Sequence, residues 1–198
     1  MRKTCLLIMI VFFTSVSFSN TARKTGIKAV NVTFAPSLEK DEEVFYSLTP
    51  LLWQDFSGIP DSTSQWAAMT HSGIRLKYEY QEKGDTTIAN VILYPYMAKG
   101  KSWYKPEGRN PYTLAHEQRH FDITAIVANE LAREIKSAKF DLVDFPTAII
   151  SMHNKYIKKL EAMQTQYDEE TAHGDNYAAQ QKWNARLLEE IASLGVYK

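Results

Sequence analysis

The chain has 198 residues with 23 basic and 23 acidic groups, so it carries no net formal charge. That balance fits a single globular domain and gives no electrostatic footprint for nucleic acid or an anionic membrane surface as partner. With 12% aromatic and 44% hydrophobic residues it is not a disordered chain.

Arg2 and Lys3 precede an apolar run, Cys5 to Phe13, and Thr14 to Ser19 follow, with Ser17 and Ser19 spaced like a cleavage site. The run is too short to cross a bilayer, which takes roughly twenty residues. Residues 1–19 therefore read as a signal peptide, and the protein as exported to the periplasm or secreted, with no stable membrane insertion after cleavage. No cysteine follows the run, which argues against a lipid anchor. Cleavage after Ser19 removes Arg2, Lys3 and the single cysteine, Cys5, leaving 21 basic against 23 acidic groups. Any metal site in the remaining chain must then use His, Asp or Glu.

Residues 20–43 read as a leader with a first strand, Ile27 to Ala35, stopped by Pro36, then a charged loop from Ser37 to Glu43. The remainder, 44–198, reads as one domain. Ala67 to Tyr80 has strand alternation at Ile74, Leu76, Tyr78 and Tyr80, Glu82 to Asp85 supplies a hairpin turn, and Thr86 to Tyr96 returns. Lys99 to Pro111 reads as a loop. Three helices are expected, from Pro111 or Tyr112 to Ala138, from Asp144 to Met163 and from Tyr177 to Leu194, the last capped by Gly195. Tyr167 to Asn176 reads as a polar break. The fold class is α+β, with N-terminal antiparallel strands followed by three helices.

The first helix carries His116-Glu117-Gln118-Arg119-His120. A four-residue spacing puts both imidazoles on one helix face, where they can fill two corners of a zinc site. Glu117 is placed to act as general base, because zinc lowers the pKa of a water and a glutamate takes its proton. Chance alone gives this pattern in roughly one such sequence in a hundred, so context must carry it. A third ligand is required. Glu130, in Asn129-Glu130, stands roughly 15 Å further along the same helix and is out of reach. His71, His153, His173 and the acids remain. His153 reads as an ordinary helix residue and His71 as a strand start, whereas His173 lies beside Gly174 in a break that can aim it.

Several segments, in order, resemble the bacterial family called domain of unknown function 922, whose members carry the label of secreted zinc-dependent proteases. These are Pro50 to Gly58, the strand within Ala67 to Tyr80, Ser102-Trp103, Leu114 to Ile123, and Tyr167-Asp168 with Thr171 and His173-Gly174. The resemblance runs from about Leu48 to Trp183 and departs at Arg119, where the family often has a small residue. It implies that His173 belongs with the site. The expected metal ligands are thus His116, His120 and His173, with Asp168 as the substitute or as an acceptor that orients a ligand imidazole. Tyr167 is either a donor to a tetrahedral oxyanion or a half-buried aromatic. Asp122 and Arg133 read as a charge pair or solvated face, and Trp53, Phe56 and Trp183 as core. The expectation is a zincin-like Zn2+ metallopeptidase acting on a peptide or protein. The rival readings are a non-catalytic zinc-binding protein of the cell envelope and a hydrolase of non-peptide amides.

Overall fold

Two long strands organise the sheet. In the computed structural model, which describes residues 26–35, 42–47, 49–84 and 86–194, β4 (Ser72–Lys83) and β5 (Thr86–Ala98) pair antiparallel from Lys83↔Thr86 to Ser72↔Met97. Gly84 sits at φ +59°, which glycine adopts without Cβ strain. The hairpin is the one expected, although Asp85 lies outside the described residues, as do the expected signal peptide and Gly195. Along β5 every second side chain, among them Ala89, Val91, Leu93 and Met97, is buried beneath the helices.

The other edge of β5 takes two strands end to end. β1 (Ile27–Phe34) runs parallel to residues 87–93, and β2 (Glu43–Phe45) returns antiparallel against residues 96–98. Antiparallel strands throughout are expected from the sequence, and the parallel pairing of β1 with β5 corrects this. A local turn dictates only the β4–β5 hairpin, whereas β1 meets β5 across some fifty residues of chain. β2 also occupies the end of what reads as a charged loop. Pro95 lies where β1 gives way to β2: its carbonyl accepts from Tyr46 N at 3.1 Å, so its nitrogen, which has no proton to give, faces that gap.

The strand expected from Ala67 to Tyr80 is broken at Thr70 and His71. β3 (Ala68–Met69) pairs instead with β6 (Trp103–Tyr104), inside the expected loop. The switch of partner is pinned by Ser102 Oγ, which accepts from His71 N at 2.9 Å, and by Ala98 N donating to His71 O at 2.8 Å.

Helix α1 (Pro111–Ser137) has proline in its first turn and Asn110 as cap, accepting from Thr113 N at 2.9 Å, with no glycine or proline within. Its buried stripe, including Ile123, Val127 and Leu131, forms the main core with β5 and with the helices α2 (Phe145–Thr171) and α3 (Tyr177–Ser193). A second apolar cluster of Tyr46, Leu51, Phe56, Met97, Phe121 and Ala125 fixes the 44–56 segment to α1. Trp183 and Phe56 are buried as expected, and Trp53 packs against this second cluster.

Helix α2 runs on to Thr171, eight residues past its expected end at Met163. Gln164, Thr165 and Gln166 are polar but are not helix breakers, and Tyr167, completely buried, anchors the extension. The chain leaves the helix only at Ala172 (φ 48°), His173 (φ 51°) and Gly174 (φ 94°). Tyr167 and Asp168 consequently stand on a helix rather than in a loop. Strands followed by three helices make this an α+β domain, and no described helix is long and apolar enough to cross a membrane.

Candidate metal centre

His116 and His120 lie one turn apart on the buried face of α1, exposed by only 5% and 9%. Each ring is held from behind by a glutamine on another helix. His116 Nδ1 lies 2.8 Å from Gln180 Oε1 on α3, and His120 Nδ1 meets Gln164 Oε1 on α2. The amide groups are oriented by their other bonds. Gln180 Nε2 donates to Tyr167 Oη at 2.7 Å and Asn184 Oδ1 at 2.9 Å, and Gln164 Nε2 donates to His120 O at 2.8 Å. Both Nδ1 atoms therefore face oxygen acceptors and carry protons, which leaves the two Nε2 atoms to face one another at 3.3 Å.

Asp168, on α2, completes the group. Its Oδ1 is 3.3 Å from His116 Nε2 and 3.0 Å from His120 Nε2, and the three ligand atoms lie within 4.8 Å of one another. Oδ1 is buried yet accepts no aligned hydrogen bond, and the same is true of Glu117 Oε2 next to the first histidine. Imidazoles close to a carboxylate but not aimed along a hydrogen bond are what ligands converging on one ion look like. A tetrahedral ion with arms of about 2.0–2.1 Å separates its ligand atoms by about 3.3 Å, close to the three separations here. The residues present fit a metal ion.

The electrostatics follow from burial and proximity. Burial alone would lower the His120 pKa, but contact with Asp168 and the charge of Glu117 override it and raise it to about 9. Burial pushes Asp168 upward, yet the His116 and His120 contacts, and the nearby His173, hold it far below the usual carboxylate range. Burial pushes Tyr167 well above its ordinary value, against the opposing Gln180 bond, so it stays a neutral phenol.

Tyr167 stacks on the His116 ring, centroids 4.7 Å apart, with its hydroxyl 3.0 Å from Nδ1 and donating to His116 O at 3.3 Å. It therefore works behind the imidazole, on the side opposite the Nε2 atoms. His173 lies outside the three-residue group. Its Nδ1 is 3.4 Å from Asp168 Oδ1, and its ring lies on Trp66 at 3.4 Å between centroids. The extension of α2 explains this arrangement, because it brings Asp168 inward and leaves His173 at the rim.

The remaining residues settle plainly. Glu130 pairs with Lys159 at 2.6 Å, away from the centre, and His153 Nε2 donates to Ile74 O at 2.8 Å. Asp122 is buried, and its cation is Arg119 rather than Arg133, with Tyr46 Oη donating at 2.8 Å and Gln118 Nε2 at 2.9 Å. Arg119 also reaches Asn184 at 3.1 Å, which accounts for its place off the histidine face. Gln164, Gln180 and Trp66 escape a reading of the sequence. The only signal for Gln164 is its four-residue spacing from Asp168, visible once α2 is known to continue.

Fold and cluster together define an α+β domain whose buried His116–His120–Asp168 group could hold a metal ion. The chain belongs to the family described as bacterial protein of unknown function (DUF922), whose model matches residues 56–174, the family its motifs resemble. No curated protein matches the chain, and neither does any solved structure. The matched segment holds His116, Glu117, His120, Tyr167, Asp168 and His173 but ends before Gln180.

Proposed function

We propose that the chain is an exported zinc-dependent hydrolase of peptide bonds, zincin-like in design, with His116, His120 and Asp168 as ligands and Glu117 as general base. The observation that carries this reading is the convergence of two tautomer-locked Nε2 atoms and an unpartnered carboxylate oxygen on one buried point. Two histidines and one carboxylate leave a fourth position open, the pattern of catalytic rather than structural zinc. A zinc ion held there supplies Lewis acidity, which brings a water's pKa near neutrality. Glu117 lies between the two ligands in sequence, is 4% exposed and has a carboxylate oxygen with no partner, and so can take that proton. Gln180 and Gln164 accept the Nδ1 proton of each imidazole and Tyr167 stacks on His116, so that the rings are fixed in direction with Nε2 toward the centre. The apolar run before Thr14 supports export, and the mature chain then has no competing thiolate.

The test is metal analysis of the purified protein, then cleavage of a defined peptide library by the zinc-loaded form. One zinc per chain, lost in His116→Ala and Asp168→Ala, is expected, and Glu117→Gln should keep zinc and lose cleavage by at least a hundredfold. A protein without metal would refute the reading. Zinc bound with no cleavage by any form would favour a binding protein of the envelope, and cleavage confined to non-peptide amides would move the substrate class.

A further inference from the structure

Each of the two imidazoles at the centre has a partner that fixes its direction: Gln180 for His116 and Gln164 for His120. The carboxylate of Asp168 lacks any such bond at Oδ1, although its side chain is 27% exposed at the end of a helix. Left alone, a short side chain there would sample other rotamers. Beyond the two candidate ligands, the contact found at Oδ1 among the described residues is His173 Nδ1 at 3.4 Å. We propose that His173 is a positioning residue that holds the Asp168 carboxylate toward the metal centre, and that Trp66 holds His173. This rests on the metal reading above.

The backbone is built to place that ring. A helix continuing past Thr171 would carry residue 173 roughly 140° around the axis from Asp168, since each residue turns by about 100°. Instead Ala172, His173 and Gly174 all take positive φ, at 48°, 51° and 94°. Non-glycine residues rarely adopt this region, and two in succession call for compensation. His173 N donates to Asp168 O at 2.9 Å, Gly174 N to Thr171 O at 3.0 Å, and Tyr112 Oη to Gly174 O at 2.6 Å. The reversal folds residue 173 back over the side chain five positions before it.

Trp66 is equally well placed. Its ring lies nearly flat on the imidazole, 24° between planes. Its own N donates to Ser64 Oγ at 3.1 Å, and Lys105 Nζ holds Ser64 O at 2.5 Å. The next residue, Ala67, accepts from Lys105 N at 2.8 Å and is packed so closely on Gly108 that a Cβ there would come within 2.6 Å of its own. Trp66 is thus fixed through residues 105 and 108 of the segment leading into α1. The centre and the loop before it form one chain of contacts: Trp66, His173, Asp168.

Zinc affinity and the visible spectrum of the cobalt-substituted protein test this without reference to catalysis. The full chain, with its own leader, is titrated with Zn2+ against a chelator of known affinity, alongside His173→Ala, His173→Asn and Trp66→Ala. Loss of a partner that orients a ligand weakens metal binding by about 10–100-fold, and that is the loss expected for His173→Ala. Its cobalt spectrum should keep the unmodified band positions, because the ligand set is unchanged. Ala172 already carries a Cβ at φ 48°, so alanine at 173 adds no new kind of strain. Asn tolerates left-handed backbone and offers an N–H near the position of Nδ1, so His173→Asn should recover most of the affinity. Trp66→Ala should weaken binding too, and adding it to His173→Ala should cost nothing more. His173→Ala within twofold of the unmodified protein overturns the proposal, and so does a shifted cobalt spectrum, which would make His173 a ligand. An unmodified chain that binds no zinc ends the metal reading and this one together, whereas zinc held equally well without His173 ends this one alone.

Discussion

Replacing Gln180 by alanine separates what the α3 glutamine does for the fold from what it does for the centre. Its side chain, 2% exposed, makes three hydrogen bonds, to His116 Nδ1 at 2.8 Å, Tyr167 Oη at 2.7 Å and Asn184 Oδ1 at 2.9 Å. At about 1 kcal/mol net for each bond the variant loses about 3 kcal/mol. In a chain of this size each kcal/mol shifts Tm by about 2–4 °C, so a fall of roughly 10 °C is expected by thermal unfolding in chelator. His116 Nδ1 keeps only the Tyr167 hydroxyl at 3.0 Å, and its ring gains freedom to rotate. Zinc affinity should therefore drop by about 10–100-fold in a competition titration. Gln180→Glu keeps an acceptor for His116 and loses both amide donors. It should lose stability but hold zinc at least as tightly as the unmodified protein. If Gln180→Ala unfolds earlier yet binds zinc within twofold of the unmodified chain, the amide does not set the imidazole, and the tautomer argument fails.

Three further perturbations probe separate parts of the structure. In chelator, His120 passes from an unfolded value near 6.5 to about 9 in the fold, so its contribution is complete below pH 6.5 and is lost as pH rises through 9. About 3 kcal/mol should disappear over that window in urea unfolding, and a His120→Asn variant that keeps the same slope would contradict it. Gly174→Ala places a Cβ on a residue at φ 94°, with His116 Nδ1 only 3.5 Å away. Stability should fall by about 1–2 kcal/mol, and an unchanged urea midpoint would mean that the turn relaxes freely. Glu130→Gln breaks a partly exposed pair with Lys159 and should cost no more than about 1 kcal/mol; any loss of zinc would return Glu130 to the ligand candidates.

Helix α1 is legible because its signals are local: Asn110 and Pro111 start it, nothing breaks it, and its observed end, Ser137, is one residue from the expected one. The same locality makes His116 and His120 readable as a pair. What escapes the sequence depends on contacts distant along the chain. The stretch Gln164 to Gln166 looks like an ending only while the burial of Tyr167 against His116 and Trp183 is unknown. The error in the end of α2 carries directly into the site, since it leaves Asp168 in a loop and makes His173 the better-placed ligand. The partners Gln164 and Gln180 stand 44 and 64 residues from their imidazoles, and no periodicity links them. The parallel pairing of β1 is hidden for the same reason, because only a hairpin announces its partner in the sequence.

An ion held at the centre would meet buried charges that favour a divalent one, independently of the ligand distances. Glu117 and Asp168 bring two carboxylates to one end of a helix whose next turns are solid core, among them Ile123 and Val127, both fully shielded. Removing a carboxylate from water costs several kcal/mol unless a positive charge meets it. In the metal-free chain the raised pKa of His120 supplies one such charge, an imidazolium between the two acids, and Glu117 Oε2 still has no partner. One proton thus stands against two acidic groups, Asp168 and Glu117. A doubly charged cation in place of the His120 Nε2 proton would offer both acids a counter-charge, while the Nδ1 protons of the two imidazoles stay donated to Gln180 and Gln164. A singly charged ion would restore no more than the proton does, so the site should discriminate by charge before it discriminates by geometry.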